Sequence, residues 1–298
     1  MNTNGNTYTV IYSTVLVVLV AAILAFVAMS LQDKQNENIK LETIGKLLGA
    51  ASQVDTTFTI EEDADVLGLY ADNIVAAFFV DGNGEKVQDM NTGKEDKNKI
   101  EVTTTSDLKA QNDKFKKLEE GQSGLLSELR LPVYIFDIKG HKVTVIPCYG
   151  AGLWGPIWGY LALDEDGKTI DGAIFDHKGE TPGLGSKIAD KPFYGKFHGK
   201  TFNMTGEDMF TVAKITAITE PEHSVDAISG ATITSQALGK SINLWAKYYK
   251  PYLEEAARQA EKTAVSDSTL AAGTMTEPID SVKTAAADAV ETNVNVEE

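Results

Sequence analysis

The sequence predicts an α+β protein, in which a single N-terminal transmembrane helix is followed by a domain of helices packed on an antiparallel sheet. Three observations carry that expectation. Tyr8 to Leu31 (YTVIYSTVLVVLVAAILAFVAMSL) contains no charged residue. From Pro132 onward, short β-rich runs alternate with turn signals. The stretch SQALGKSINLWAKYYKPYL then places Leu238, Ile242, Trp245 and Tyr249 on one helical face.

Taken in order, residues 1–7 (MNTNGNT) form a short polar tail. Residues 8–31, as a helix rising about 1.5 Å per residue, reach roughly 36 Å, enough for a hydrocarbon core of about 30 Å. A cleaved signal peptide fits less well, because the apolar run exceeds a typical h-region and no Lys or Arg precedes it. An uncleaved anchor is expected. Lys34, Lys40 and Lys46 follow the span, interleaved with Asp33, Glu37 and Glu42, so the basic bias by itself favours a cytoplasmic body.

Residues 32–131 read as a membrane-proximal α+β region. DKQNENIKLETIGKLLGAA starts as a polar connection and runs into a helix with Ile44, Leu47 and Leu48 at i, i+3, i+4. NIVAAFFVD is strand-like, SDLKAQNDKFKKLEE helical, and GKEDKNKIE a solvated charged surface. In residues 132–253, the strands PVYIFDI, KVTVIPCY, GPIWGYLALD and TIDGAIFDH are punctuated by Lys139-Gly140 and Glu165-Asp166-Gly167. The closing helix is expected to begin near Gln236, capped by Thr234 or Ser235, and to end at Pro251 or just before it. Residues 254–298 are acidic and almost without aromatics. Such a tail cannot bury enough apolar area to offset chain entropy, so disorder is expected after a frayed helical start.

Composition excludes several functions. With 43 acidic against 27 basic side chains and a formal net charge of -16, the chain lacks the clustered cations that phosphate backbones require, so no nucleic-acid partner is expected. Cys148 is the single cysteine, so no intramolecular disulfide, iron–sulfur cluster or cysteine-rich zinc site can form. It reads as a small buried apolar residue of its strand. Redox chemistry would then come from an organic cofactor or from partner subunits. His177, at a strand end, reads as a hydrogen-bonded structural residue, and no metal site is expected around it. No G-x-G-x-x-G joins a strand to a helix, so NADH is not expected on this chain, and no catalytic residue is assigned.

Residues 226–235, DAISGATITS, gather four hydroxyls and three very small residues at the mouth of a helix. A cap explains only one hydroxyl. Gly230 and Ala231 leave the backbone beside Thr232 open to a bulky group, and a phosphate there would meet the N–H groups and positive dipole of a helix N-terminus. Thr234 lies two residues closer to the expected helix, so chemistry alone leaves both threonines open.

Asp226, Ser229, Gly230, Ala231 and Thr232 match the D-x-x-(S/T)-G-A-T flavinylation motif. YGAGLWGPIWG (Tyr149 to Gly159) and HKGETPGLG (His177 to Gly185) look like the loops of FMN-binding domains. With the N-terminal span, these stretches resemble the C-subunit family of sodium-translocating NADH:quinone reductases, over most of the chain from the span to about Leu253. The resemblance implies FMN attached through a phosphodiester to Thr232 by a flavin transferase that uses FAD. It implies an FMN-binding domain over residues 132–253, with Ser229, Gly230, Ala231, Leu153, Trp154, Glu180, Thr181 and Leu184 around the cofactor.

The implied function is an electron-carrying part of a membrane complex that oxidises NADH on another subunit, reduces quinone and pumps sodium. The resemblance also places the main domain on the periplasmic side of the bacterial inner membrane, against the basic bias. Two other readings share features of the chain: the flavin subunit of an Rnf-type ferredoxin:NAD oxidoreductase, and an unmodified, membrane-anchored scaffold subunit.

Overall fold

In the computed structural model, which describes residues 5–273 apart from Glu62 and Glu207, the apolar run is the first half of one unbroken helix, α1 (Asn6–Ala51). None of its most apolar window is buried, the mean hydropathy there is 2.8, and the helix is long and apolar enough to cross a membrane. The polar connection expected after Leu31 is itself helical. DKQNENIKLE contains no Gly or Pro to stop the helix, and Glu42 and Lys46 pair one turn apart just beyond it.

The remaining elements follow as α2 (Val66–Asn73), β1 (Ile74–Val80), β2 (Lys86–Asp89), α3 (Thr105–Glu119), β3 (Leu131–Ile138), β4 (His141–Ala151), β5 (Pro156–Leu163) and β6 (Thr169–His177). After these come α4 (Lys191–Tyr194), β7 (Lys200–Thr201), β8 (Thr211–Ala213), β9 (Ser224–Asp226) and α5 (Thr232–Gly273). The main sheet has seven strands in the order β2-β1-β3-β4-β5-β6-β7, all antiparallel. Strands β8 and β9 form a separate parallel pair. The hairpin turns fall at the two places the sequence marks: Lys139 and Gly140 both have positive φ, as does Gly167.

Both faces of the sheet are covered, which is why its strands read as nearly continuous apolar runs. On one face, Ile44, Leu47 and Leu48 of α1 and Tyr70 of α2 pack on Tyr134, Phe136, Val145 and Tyr160. On the other, Phe115 of α3 and Leu238, Ile242, Trp245 and Tyr249 of α5 pack on Val133, Ile146, Leu161 and Phe175. Hydrogen bonds fix α5 in this layer: Trp245 Nε1 donates to Tyr149 O (2.8 Å) and Tyr249 Oη to Pro132 O (2.6 Å).

The seat of α1 is specific. Lys46 pairs with Asp176 near the end of β6, while Gln53 bonds both the N–H (3.3 Å) and the C=O (2.9 Å) of Ala173. Gly172 is glycine because any Cβ there would meet the carbonyl of Ala50. Helix and strand therefore run antiparallel.

Two expectations about α5 are corrected. The helix begins at Thr232 rather than near Gln236, because Ser235 N already bonds Ala231 O at 3.0 Å and closes a turn earlier. Thr234 and Ser235 then lie inside the first turn instead of capping it. Pro251 does not end the helix but sits within it. The missing N–H costs about 3 kcal/mol, which burial of Tyr249 and Leu253 on either side offsets. The described residues from 5 to 258 form one compact unit. In the second unit, from Gln259, the helix is described to Gly273, and the rest of the tail expected to be disordered lies outside the described residues.

Candidate functional site

The loops singled out in the sequence meet around one buried carboxylate. The β4–β5 hairpin turns through Gly152–Gly155, closed by Gly152 N to Gly155 O (2.8 Å). The chain leaving β6 enters KGETPGLG, where Leu184 N and Ser186 N both donate to Thr181 O. Glu180, only 4 % exposed, accepts from Trp154 N on one oxygen (2.8 Å) and from Thr234 Oγ1 on the other (2.6 Å). Its own N–H donates to His177 Nδ1 (3.3 Å). One side chain thus ties two loops to the first turn of α5.

Close packing around that carboxylate explains two glycines. A Cβ on Gly152 would lie 2.5 Å from Glu180 Oε1, and one on Gly185 would collide with Glu180 Oε2. Gly230 has a different reason: its φ of +81° is the left-handed conformation that L side chains adopt at a cost. Leu184 lies beside it, with Cδ2 3.3 Å from where a Cβ would be.

The hydroxyls of DAISGATITS divide into two sets. Thr234 is 1 % exposed and bound to Glu180. Ser235 is fully buried, donating to Ala231 O (2.9 Å) and accepting from Ile228 N (3.1 Å). Ser229 is exposed, Thr232 half-buried and Ala231 buried beneath it. Among the described residues the Thr232 hydroxyl has no hydrogen-bond partner, and neither do the N–H groups of Thr232, Ile233 and Thr234 at the open end of α5. Around this end the apolar side chains of Leu153, Trp154 (68 % exposed), Leu184 and Ile233 (62 %) face solvent. Thr181 is exposed beside them.

This set of groups fits a flavin mononucleotide chemically. A free hydroxyl and three unpaired N–H donors at a helix N-terminus suit a phosphate ester, and exposed Leu and Trp side chains suit an aromatic ring. The carboxylate of Glu180 is engaged by the protein itself, so it holds the loops from beneath. Below the hairpin, burial pushes the Cys148 thiol up to about 12, leaving it a neutral core residue. Among the described residues no group of His, Cys, Asp or Glu is arranged to hold a metal.

All nine residues singled out from the sequence lie in or beside these three segments. Three further features escape a sequence reading. Lys196 holds Asp226, the first motif residue, at 2.9 and 3.0 Å. Thr234 proves to be a structural partner of Glu180, and Ile233 adds to the exposed rim. None has a local signal, since each depends on segments that only the fold brings together.

Residues 152–247 match the FMN-binding domain family. The chain is 31% identical over 237 residues to the C subunit of the Na(+)-translocating NADH-quinone reductase of Neisseria meningitidis serogroup B, covering 76% of this chain and 81% of that one. It is 28% identical over 233 residues to the corresponding C subunit of Vibrio anguillarum, covering 75% and 83%. Among solved structures it resembles the C subunit from Parabacteroides distasonis, with a TM-score of 0.58 and 29% identity over 75% of this chain and 96% of that one.

Proposed function

The chain belongs to the family of C subunits of the Na(+)-translocating NADH-quinone reductases, and on that premise we propose that it carries FMN on Thr232 and relays electrons in such a complex. It is a flavin-binding subunit with a membrane anchor. The complex oxidises NADH at another subunit, reduces quinone and moves sodium. Its place is the bacterial inner membrane, with the domain over residues 132–253 on the periplasmic side and the membrane-proximal region over residues 32–131. The other subunits are its partners, and a flavin transferase matures it.

FMN, when bound, supplies the electron transfer, and the protein supplies its position and surroundings. Attachment joins the Thr232 oxygen to the FMN phosphate of FAD; the hydroxyl proton departs and AMP is released. The unpaired N–H groups of Thr232, Ile233 and Thr234 face the side where the phosphate belongs. Gly230 and Ala231 keep that side open, with Ser229 and Thr181 as polar neighbours. Leu153, Trp154 and Leu184 hold water from the ring, and Glu180 fixes both of their loops relative to α5.

The observation that carries this reading is the contrast between Thr232, unbonded at the helix mouth, and Thr234, buried on Glu180. The test is intact mass and in-gel flavin fluorescence of the wild type, Thr232→Ala and Thr234→Ala, produced with and without a flavin transferase. A transferase-dependent gain of one FMN less one water, lost only in Thr232→Ala, is expected. An unmodified wild type beside a substrate processed in the same cells would sink the proposal.

A further inference from the structure

Helix α1 places the Lys46 ammonium at the roots of two loops at once. It pairs with Asp176 at the end of β6, from which the chain runs into HKGETPGLG. It also stands 5.4 Å from the centroid of the Trp158 ring, near the start of β5 and just after the GLWG turn. Trp158 and Asp176 are themselves partners across β5 and β6, so one cation holds the rung of the ladder that adjoins both loops. Glu42, one turn earlier on α1, adds a second carboxylate at 2.5 Å. The Lys46 backbone is fixed by its neighbours Ile44, Leu47 and Leu48, all fully buried.

From that rung the contacts run unbroken to the flavin site. Alternation along β6 puts Asp176 with Ile174 on the face covered by α1, and His177 with Phe175 on the face covered by α5. Asp176 Oδ1 accepts from His177 N (2.7 Å), and His177 Nδ1 accepts from Glu180 N (3.3 Å). Glu180 then carries Trp154 N on one oxygen and Thr234 Oγ1 on the other. Lys178 N donates to Pro156 O (2.9 Å), which clamps the two loops to each other. Neither Lys46 nor Asp176 belongs to the residues around the flavin. Their side chains are 18 % and 23 % exposed, so solvent screens their attraction less than that of a surface pair.

We propose that Lys46 is a positioning residue for the flavin. Through Asp176 and Trp158 it sets the relative placement of the two loops that carry Trp154, Glu180 and Leu184, so the seat of α1 determines how closely the ring is held. The proposal rests on the flavin-carrier reading for what the loops hold, while the placement of the loops is a property of the protein alone.

The test compares the full-length wild type in detergent with Lys46→Met, Asp176→Asn, the double variant and Lys46→Arg. Lys40→Met is the control, because Lys40 Nζ also ties α1 to the domain, on Asn98 O (2.9 Å), rather than at either loop. In chains made without the transferase, amide hydrogen exchange is followed by mass spectrometry in the peptides that contain Trp154 and Glu180. Loss of Lys46 or of Asp176 should speed exchange there about tenfold, between the effects of losing a surface pair and a buried one. Strand β3 should keep its rate, the double variant should exchange no faster than either single one, and Lys46→Arg, which keeps the cation over Trp158, should restore the wild-type rate. In chains carrying FMN, emission quenched by the Trp154 indole should rise in Lys46→Met and Asp176→Asn and return in Lys46→Arg. Unchanged exchange in the loops, exchange quickened equally in β3, or the same effect from Lys40→Met would overturn the proposal. So would loosened loops with unaltered flavin emission. A wild type that never takes FMN would instead fail the carrier reading, and exchange in the loops would still decide whether Lys46 places them.

Discussion

Replacing Thr234 by valine keeps the shape and β-branching of the side chain and removes only its hydroxyl, so helix propensity is nearly unchanged. The loss is the 2.6 Å bond to Glu180 Oε2, made to a carboxylate that is 4 % exposed. A hydrogen bond to a charged group contributes about 1.5–3 kcal/mol, and its removal leaves that oxygen buried without its donor. At about 2–4 °C per kcal/mol for a chain of this size, Thr234→Val should lower the melting temperature by roughly 3–12 °C. The assay is thermal unfolding of the full chain in detergent, made without the transferase, for Thr234→Val, Glu180→Ala and the double variant. Most of the cost should vanish in the Glu180→Ala background, a coupling of about 1–3 kcal/mol. Made with the transferase, Thr234→Val should still gain FMN, whereas Thr232→Val should melt normally and gain none. A neutral Thr234→Val, or one costing as much without Glu180 as with it, would refute the tie between helix and loop.

Gly230→Ala forces an L residue into a φ of +81°, at about 1–2 kcal/mol, and brings a methyl to 3.3 Å from Leu184 Cδ2. Flavin incorporation should fall, and Leu184→Ala beside it should relieve the contact but not the backbone strain, as read by mass spectrometry and melting. Asp171 titrates near 6 because burial and the neighbouring Asp164 and Asp166 oppose its charge, while His198 and His141 partly offset them. Its folded form keeps a proton between pH 4 and 6 that the unfolded chain has lost, so stability falls as pH rises through that window. Asp171→Asn should therefore raise stability at pH 7.5 by about 1 kcal/mol after solvent screening, which is about 2–4 °C in melting temperature, and leave both unchanged at pH 4. Burial holds the Cys148 thiol neutral, so it should resist thiol reagents in the native chain and react fully in denaturant, as followed by mass.

Five strands of the sheet, β1 and β3 to β6, were legible because each has an apolar run, with turn residues of positive φ such as Gly140 and Gly167 between them, whereas the short edge strands β2 and β7 carry no such run. The buried face of α5 was legible for the same local reason: Leu238, Ile242, Trp245 and Tyr249 repeat at helical spacing and are all buried. What escaped depends on distance along the chain. Asp226 meets Lys196 across 30 residues and Thr234 meets Glu180 across 54, and no periodicity encodes either pair. The polar run after Leu31 suits a helix or a coil equally by composition, and the buried turn at Ile44–Ala51 beyond it favours helix. Pro251 obeys a local rule that tertiary packing overrides.

The start of α5 decides which threonine is free. Had the helix begun near Gln236, TITS would be extended, and Thr232 and Thr234, two residues apart, would point the same way. Beginning at Thr232, the same residues are separated by about 200° around the helix axis and point to nearly opposite sides. One hydroxyl can then lock inward on Glu180 while the other faces the loops and solvent. Locking and presenting are coupled, because the bond that buries Thr234 also fixes the rotation of the first turn, and with it the direction of the Thr232 oxygen. On the proposed reading, that coupling would leave Thr232 as the one of the two threonines that the transferase can reach in the folded domain.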